Sequence, residues 1–323
     1  MKTLFEASAK IKRGALLGLA IALGSGVGTA AFAPSVSAAS AVTAEQSLSV
    51  YNQFQKYLKN SAKTPLSLIQ ARNYLLNHIK RADSWRATVM VLQLENAQKA
   101  RLESFYEKFF PVKVQKEIDD AVRKNGLQTG LTYSRLLNTI TDPGVRAVLT
   151  ESSSYGYKLE TSEGMYYPVM HYEGFKYFKP YIGKDIAAYI DLMATDSNKP
   201  ALNDAAIVIT WDELINRAIA LESYVKEYPK SNRTAAANNK LQLMEMFVFY
   251  GSNNTPAYEY GTGGEPTTID PKLRQAYEKA VQNGTADSRI LKTIKSVLEL
   301  LDASGNRWNG NIEKFLQEFK QFG

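Results

Sequence analysis

Two histidines, His78 and His171, and no cysteine are all that 323 residues offer to imidazole or thiol chemistry. That inventory excludes thiol nucleophiles, redox pairs and sulfur-ligated zinc sites, and neither histidine stands in an H-E-x-x-H arrangement. His78 falls beside Leu75 and Ile79 in a helical pattern, which marks it as structural. No Gly-x-x-x-x-Gly-Lys loop is present to cradle a phosphate, so neither a metal nor a cofactor is expected. Ser223-Tyr224-Val225-Lys226 has the S-x-x-K spacing of penicillin-binding enzymes, but it lies deep in a helical pattern and has no Lys-Thr-Gly partner. Carboxylates and tyrosines remain. Glu163, in a turn, and Glu173, past the next extended run, form a candidate catalytic pair, since a glycoside hydrolase needs two acidic groups roughly 5 to 10 Å apart. Around them, residues 155–194 hold eight of the nineteen tyrosines. A tyrosine offers a broad apolar face and a hydroxyl, which suits glycans and protein partners alike. Tyr166, Tyr167, Tyr172, Tyr177 and Tyr181, with Tyr258 from a later loop, are therefore the candidate ligand-binding residues.

The elements that must position these side chains read as mainly α: a helical array or bundle with a small β-hairpin near residues 155–172. Two aromatic-rich runs flank Thr161-Ser162-Glu163-Gly164, which supplies turn chemistry. Pro168 lacks an N–H and so demotes the return run to an edge strand. A helical region over residues 39–150 precedes the hairpin, and residues 151–323 carry the hairpin and a second helical region. In the first region Leu48, Tyr51 and Leu58 share a face, and Thr64-Pro65 opens a helix with Leu68, Ala71, Leu75 and Ile79 on its stripe. The next helix runs from about Ser84 toward Phe110, burying Trp85, Val89, Leu92, Leu102, Phe105 and Phe109 before Pro111 stops it.

In the second region Thr210-Trp211-Asp212-Glu213 reads as a capping box, which explains Asp212 and Glu213 without acid–base work. Leu214, Ala218, Leu221, Val225 and Tyr228 follow at core-facing spacing. Residues 234–250 are apolar on nearly every side and are expected to form the most buried helix. About twenty residues without a period come next, then three closing helices. The run at 218–231, ending in Tyr228-Pro229-Lys230-Ser231, resembles the helix-end signature of bacterial tetratricopeptide-like repeats over residues 212–250. That resemblance implies a helical hairpin with a scaffold or binding role.

Lys2, Lys10, Lys12 and Arg13, the apolar stretch 14–33 and Val36-Ser37-Ala38 compose a secretory signal peptide over residues 1–38. Its glycines and Pro34 make a poor stable span, so no membrane helix is expected after cleavage. Loss of the leader lowers the formal charge from +7 to +4. No basic run marks a nucleic-acid patch, and the mild positive bias suits an anionic wall polymer. The leader and the cysteine-free composition look like those of a Gram-positive exported protein, secreted or wall-associated. The expectation is a non-catalytic binding or scaffold protein of the cell envelope, contacting a partner protein or a wall component; the alternative is a wall glycan hydrolase using Glu163 and Glu173.

Overall fold

Capping chemistry sets most helix boundaries in the computed structural model, which describes residues 42–61, 63–126, 132–285 and 287–321. The leader expected over residues 1–38 lies outside the described residues. Helix α1 (Ala44–Asn60) starts at Thr43, whose side chain accepts from Gln46 N–H while Gln46 reaches back to Thr43 N–H. It buries Ser47, Val50 and Phe54, and Tyr51 and Leu58 pack against the core as expected, but Leu48 is 45% exposed. The reason is a polar dock: Ser47 Oγ donates to Asp83, and Asp83 N–H returns a bond of 2.9 Å to the same oxygen, which fixes the roll of α1.

Thr64-Pro65 does open α2 (Pro65–His78), and Leu68, Ala71, Leu75 and Ile79 are all buried. Asp83 caps α3 (Ser84–Phe105), which tightens into a 3-10 turn through Phe109 before Pro111. Trp85 is 67% exposed rather than buried. The core face of α3 runs through Ala87, Val91, Leu94 and Gln98, and a residue two positions before Ala87 sits about 200° around the helix from it. Then come α4 (Val112–Lys124), α5 (Tyr133–Thr139) and α6 (Pro143–Tyr155). Helix α6 ends at Gly156, whose φ of +83° belongs to the left-handed region that glycine adopts without penalty.

The predicted hairpin follows at once. Strands β1 (Tyr157–Ser162) and β2 (Met165–Met170) pair antiparallel in unbroken register, with Pro168 opposite Leu159. Glu163 and Gly164 both have positive φ, 51° and 71°, the two-residue turn whose twist matches that of the strands. A short helix α7 (Tyr172–Phe175) and a 3-10 turn to Tyr181 lead into α8 (Lys184–Asn198). A minimal hairpin, β3 (Leu202–Asn203) with β4 (Ala206–Ile207), precedes α9 (Trp211–Glu227) and α10 (Thr234–Tyr250).

Helices α9 and α10 pack along each other, as α1 does along α2. Helix α10 is not apolar all round to the interior: Leu243 and Met246 are exposed at 41% and 38%. The stretch expected to lack structure after it forms two hairpins instead, β5 (Gly251–Ser252) with β6 (Thr255–Pro256) and β7 (Tyr258–Tyr260) with β8 (Pro266–Ile269). Gly251 permits the first, because a Cβ there would lie 2.3 Å from the Thr255 carbonyl oxygen. Helices α11 (Pro271–Val281), α12 (Arg289–Ala303) and α13 (Gly310–Gln321) close the chain. The fold is mainly α with small two-stranded sheets, and residues from Val42 onward cluster as one compact unit. Among the described residues no helix is long and apolar enough to cross a membrane.

Candidate functional site

The candidate tyrosines divide by what their hydroxyls do. Tyr172 is buried and donates at 2.6 Å to Glu95, itself only 3% exposed on α3. Glu95 also accepts from Arg233 Nε at 2.8 Å, from Lys99 at 2.7 Å and, at 3.4 Å, from Tyr189 on α8. Burial pushes the Glu95 carboxyl upward, but the charges of Lys99 and Arg233, with the bonds from Lys99 and Tyr172, outweigh it and hold the group below its ordinary value. A buried carboxylate with this many donors is a structural knot, here joining α3 to α8 and to the turn between α9 and α10. Glu95 carried no signal as a motif, yet it lies four residues after Val91 on the core stripe of α3, where a charge is out of place.

Tyr166 and Tyr258 are core residues as well. Tyr166 is sewn in by Gln115, which pairs with both its backbone N–H and its carbonyl at 2.8 Å, and Tyr258 packs edge-on to Trp308 at 4.6 Å. Tyr177 is half exposed but spends its hydroxyl on the Leu76 carbonyl at 3.0 Å, with Tyr181 alongside at 6.3 Å. His78 stacks on Tyr74 at 4.3 Å, in keeping with a structural role. Burial, then the Lys158 charge, pushes the His171 imidazole below its ordinary range.

Glu163 and Glu173 occupy opposite ends of β2. Glu163 sits at the tip of the hairpin, where its N–H donates to Asp204 at 2.7 Å; Glu173 lies past Met170 and is bound by Asn198 at 2.7 Å and Lys176 at 2.8 Å. The six residues of the strand between them span about 20 Å at roughly 3.3 Å per residue. Two carboxylates cannot flank one glycosidic bond from that separation.

What the hairpin does present is an apolar ledge. Side chains alternate along β2, so Tyr166, Pro168 and Met170 point inward while Met165, Tyr167 and Val169 face out. Tyr167 stacks at 5.6 Å on Tyr106, and Tyr106 meets Phe110 edge-on at 5.1 Å. Phe110 and Val112 stand 52% and 82% exposed where the chain turns at Pro111. Of the six residues on this ledge, sequence reading singled out Tyr167 alone. Phe110, Pro111 and Val112 read as a helix stop, and nothing local told which way the stop faces.

The capping box of α9 forms by half. Thr210 accepts from Glu213 N–H at 3.2 Å, but the Glu213 carboxylate turns away from the cap to Lys199 and Arg217. Tyr228-Pro229-Lys230-Ser231 makes the turn into α10, with Ser231 Oγ donating to Asp185 at 2.6 Å. Comparison with family models, with curated proteins and with solved structures finds no match to this chain.

Proposed function

We propose that this chain is an exported, non-catalytic binding protein of the cell envelope, which holds a partner protein or a cell-wall component on the ledge of Tyr106, Phe110, Val112 and the outer face of β2. The observation that carries this reading is the exposure of Phe110, Val112 and Met165 around the ring contacts Tyr167–Tyr106–Phe110, since exposed apolar patches on folded proteins mark contact sites. Tyrosine and phenylalanine are the residue types that dominate contact cores. Export rests on the leader pattern at residues 1–38, and the charge of +4 after its loss favours anionic surroundings. The α9–α10 hairpin serves as scaffold, which is what its tetratricopeptide-like resemblance implies.

A photo-crosslinking amino acid placed at Val112 tests this in cells that export the protein, with the same probe at exposed Leu66 as control. A discrete protein adduct, or attachment to wall material released by wall digestion, is expected from position 112 and not from 66. Equal labelling from both positions would remove the ledge as the contact surface.

A further inference from the structure

At the foot of the hairpin, Arg72 from α2, Gly156 from the end of α6, His171 from the end of β2, and Gly174 with Phe175 from α7 line a cavity of about 20 Å³. Arg72 stands four residues after buried Leu68, so α2 carries it on the side that faces the core. Two glycines bare the walls. A Cβ at Gly156 would lie 2.4 Å from Arg72 Nε, and one at Gly174 would lie 3.4 Å from His171 Nδ1.

Two donors converge here without acceptors. Among the described residues neither the Arg72 guanidinium nor the His171 ring has a hydrogen-bond or ion-pair partner. Arg72 is half-buried, and burial alone shifts its ionisation, downward; a guanidinium nevertheless keeps its charge. No carboxylate lines the cavity. The charges that act on His171 are Lys158 from β1, Glu173 from α7 and Arg72 itself. Lys158 is taken by Glu160 and the Ser197 carbonyl, and Glu173 by Asn198 and Lys176. The remaining polar wall, Gln98, donates its amide to the Tyr155 carbonyl, and its Oε1 has no accessible surface, so it does not meet a guest.

We propose that this cavity binds a single chloride-sized anion between the Arg72 guanidinium and the His171 ring. The volume is little more than the roughly 10–15 Å³ that one water needs, which limits the guest to about one atom. A water would accept one hydrogen bond and leave the guanidinium charge unopposed, and a charge drawn out of water without a counter-charge is costly. The anion joins α2 to the foot of the hairpin. The site shares no residue with the ledge, so the two proposals stand or fall separately.

Nuclear magnetic resonance of the two imidazole rings tests this on the leader-free protein, with gluconate exchanged for chloride at constant ionic strength so that screening stays fixed. His171 reads the cavity, and His78, stacked on Tyr74, is the control. In about 100 mM chloride the titration midpoint of His171 is expected to rise by about half a pH unit, because a neighbouring anion favours the charged ring. By linkage that is about threefold tighter chloride binding to the imidazolium form. His78 should not move. Bromide should act as chloride does, and the bulkier sulfate should not. Arg72→Gln, with folding checked by near-ultraviolet circular dichroism, should cancel the rise; the anion comparisons use the unaltered protein and decide the matter even where that variant does not fold. An unchanged His171 midpoint, which would leave the cavity to water, a rise shared by His78, or a rise that persists in folded Arg72→Gln would overturn the proposal. A sulfate effect as large as that of chloride would overturn the assignment to a monatomic anion.

Discussion

Glu95 gathers Tyr172, Tyr189, Lys99 and Arg233 around one carboxylate in the interior. Removing it strands a guanidinium only 12% exposed and a buried hydroxyl, so Glu95→Ala should lower unfolding free energy by about 3–5 kcal/mol. Urea titration measures this; a loss under 1 kcal/mol would mean that the knot is not holding α3 to the α9–α10 turn. Asp83 bears on pH. Burial opposes its charge, but bonds from Ser47, from Arg86 N–H and from the Arg86 guanidinium bring its carboxyl down to about 2. A carboxylate held low in the folded state stabilises above its unfolded pKa, near 4, and that contribution disappears as pH falls through the folded value. The melting temperature should therefore drop between pH 4 and pH 2, with Glu95 acting in the same direction. Asp83→Asn, which can still cap α3, should flatten part of that slope; an unchanged slope would remove Asp83 from the explanation.

At the level of elements, two backbone positions govern how the hairpin is entered and turned. Gly156 has φ +83°, and a Cβ there would lie 2.4 Å from Arg72 Nε, so Gly156→Ala should destabilise by more than about 1 kcal/mol. Glu163 holds φ 51° in a turn that prefers asparagine at its first central position. Glu163→Asn should therefore stabilise by a few tenths to about 1 kcal/mol, and a thermal melt that moved down would show that the turn is not limiting. Elements with a strong local signal were legible: the α2 stripe from Leu68 to Ile79, the Thr161–Gly164 turn, and α10 over residues 234–250. Those set by distant partners were not. The roll of α1 depends on Asp83, thirty-six residues after Ser47, and the hairpins after α10 depend on contacts such as Asn254 N–H to the Ala205 carbonyl, which no local pattern encodes.

For the whole molecule, the mainly α plan follows from periodicity, whereas the division of tyrosines between core and surface needed tertiary partners. Strand alternation requires that Tyr166 and Tyr167 face opposite ways; only Gln115 and Asp119 decide that Tyr166 is the one that turns inward. The candidate site was thus legible as a segment and not as a surface. Glu163 and Glu173 are held a strand's length apart, too far to flank one glycosidic bond. The most direct measurement is co-sedimentation of the leader-free protein with purified cell walls, intact and stripped of anionic polymer, alongside capture on immobilised envelope proteins, with soluble sugar release read in parallel. Binding in one of these arms, lost at least tenfold in Phe110→Ser/Tyr167→Ser, unaffected in Glu163→Gln/Glu173→Gln and without sugar release, is the predicted result. Sugar release abolished by the glutamate substitutions, or binding indifferent to the loss of Phe110 and Tyr167, would contradict it.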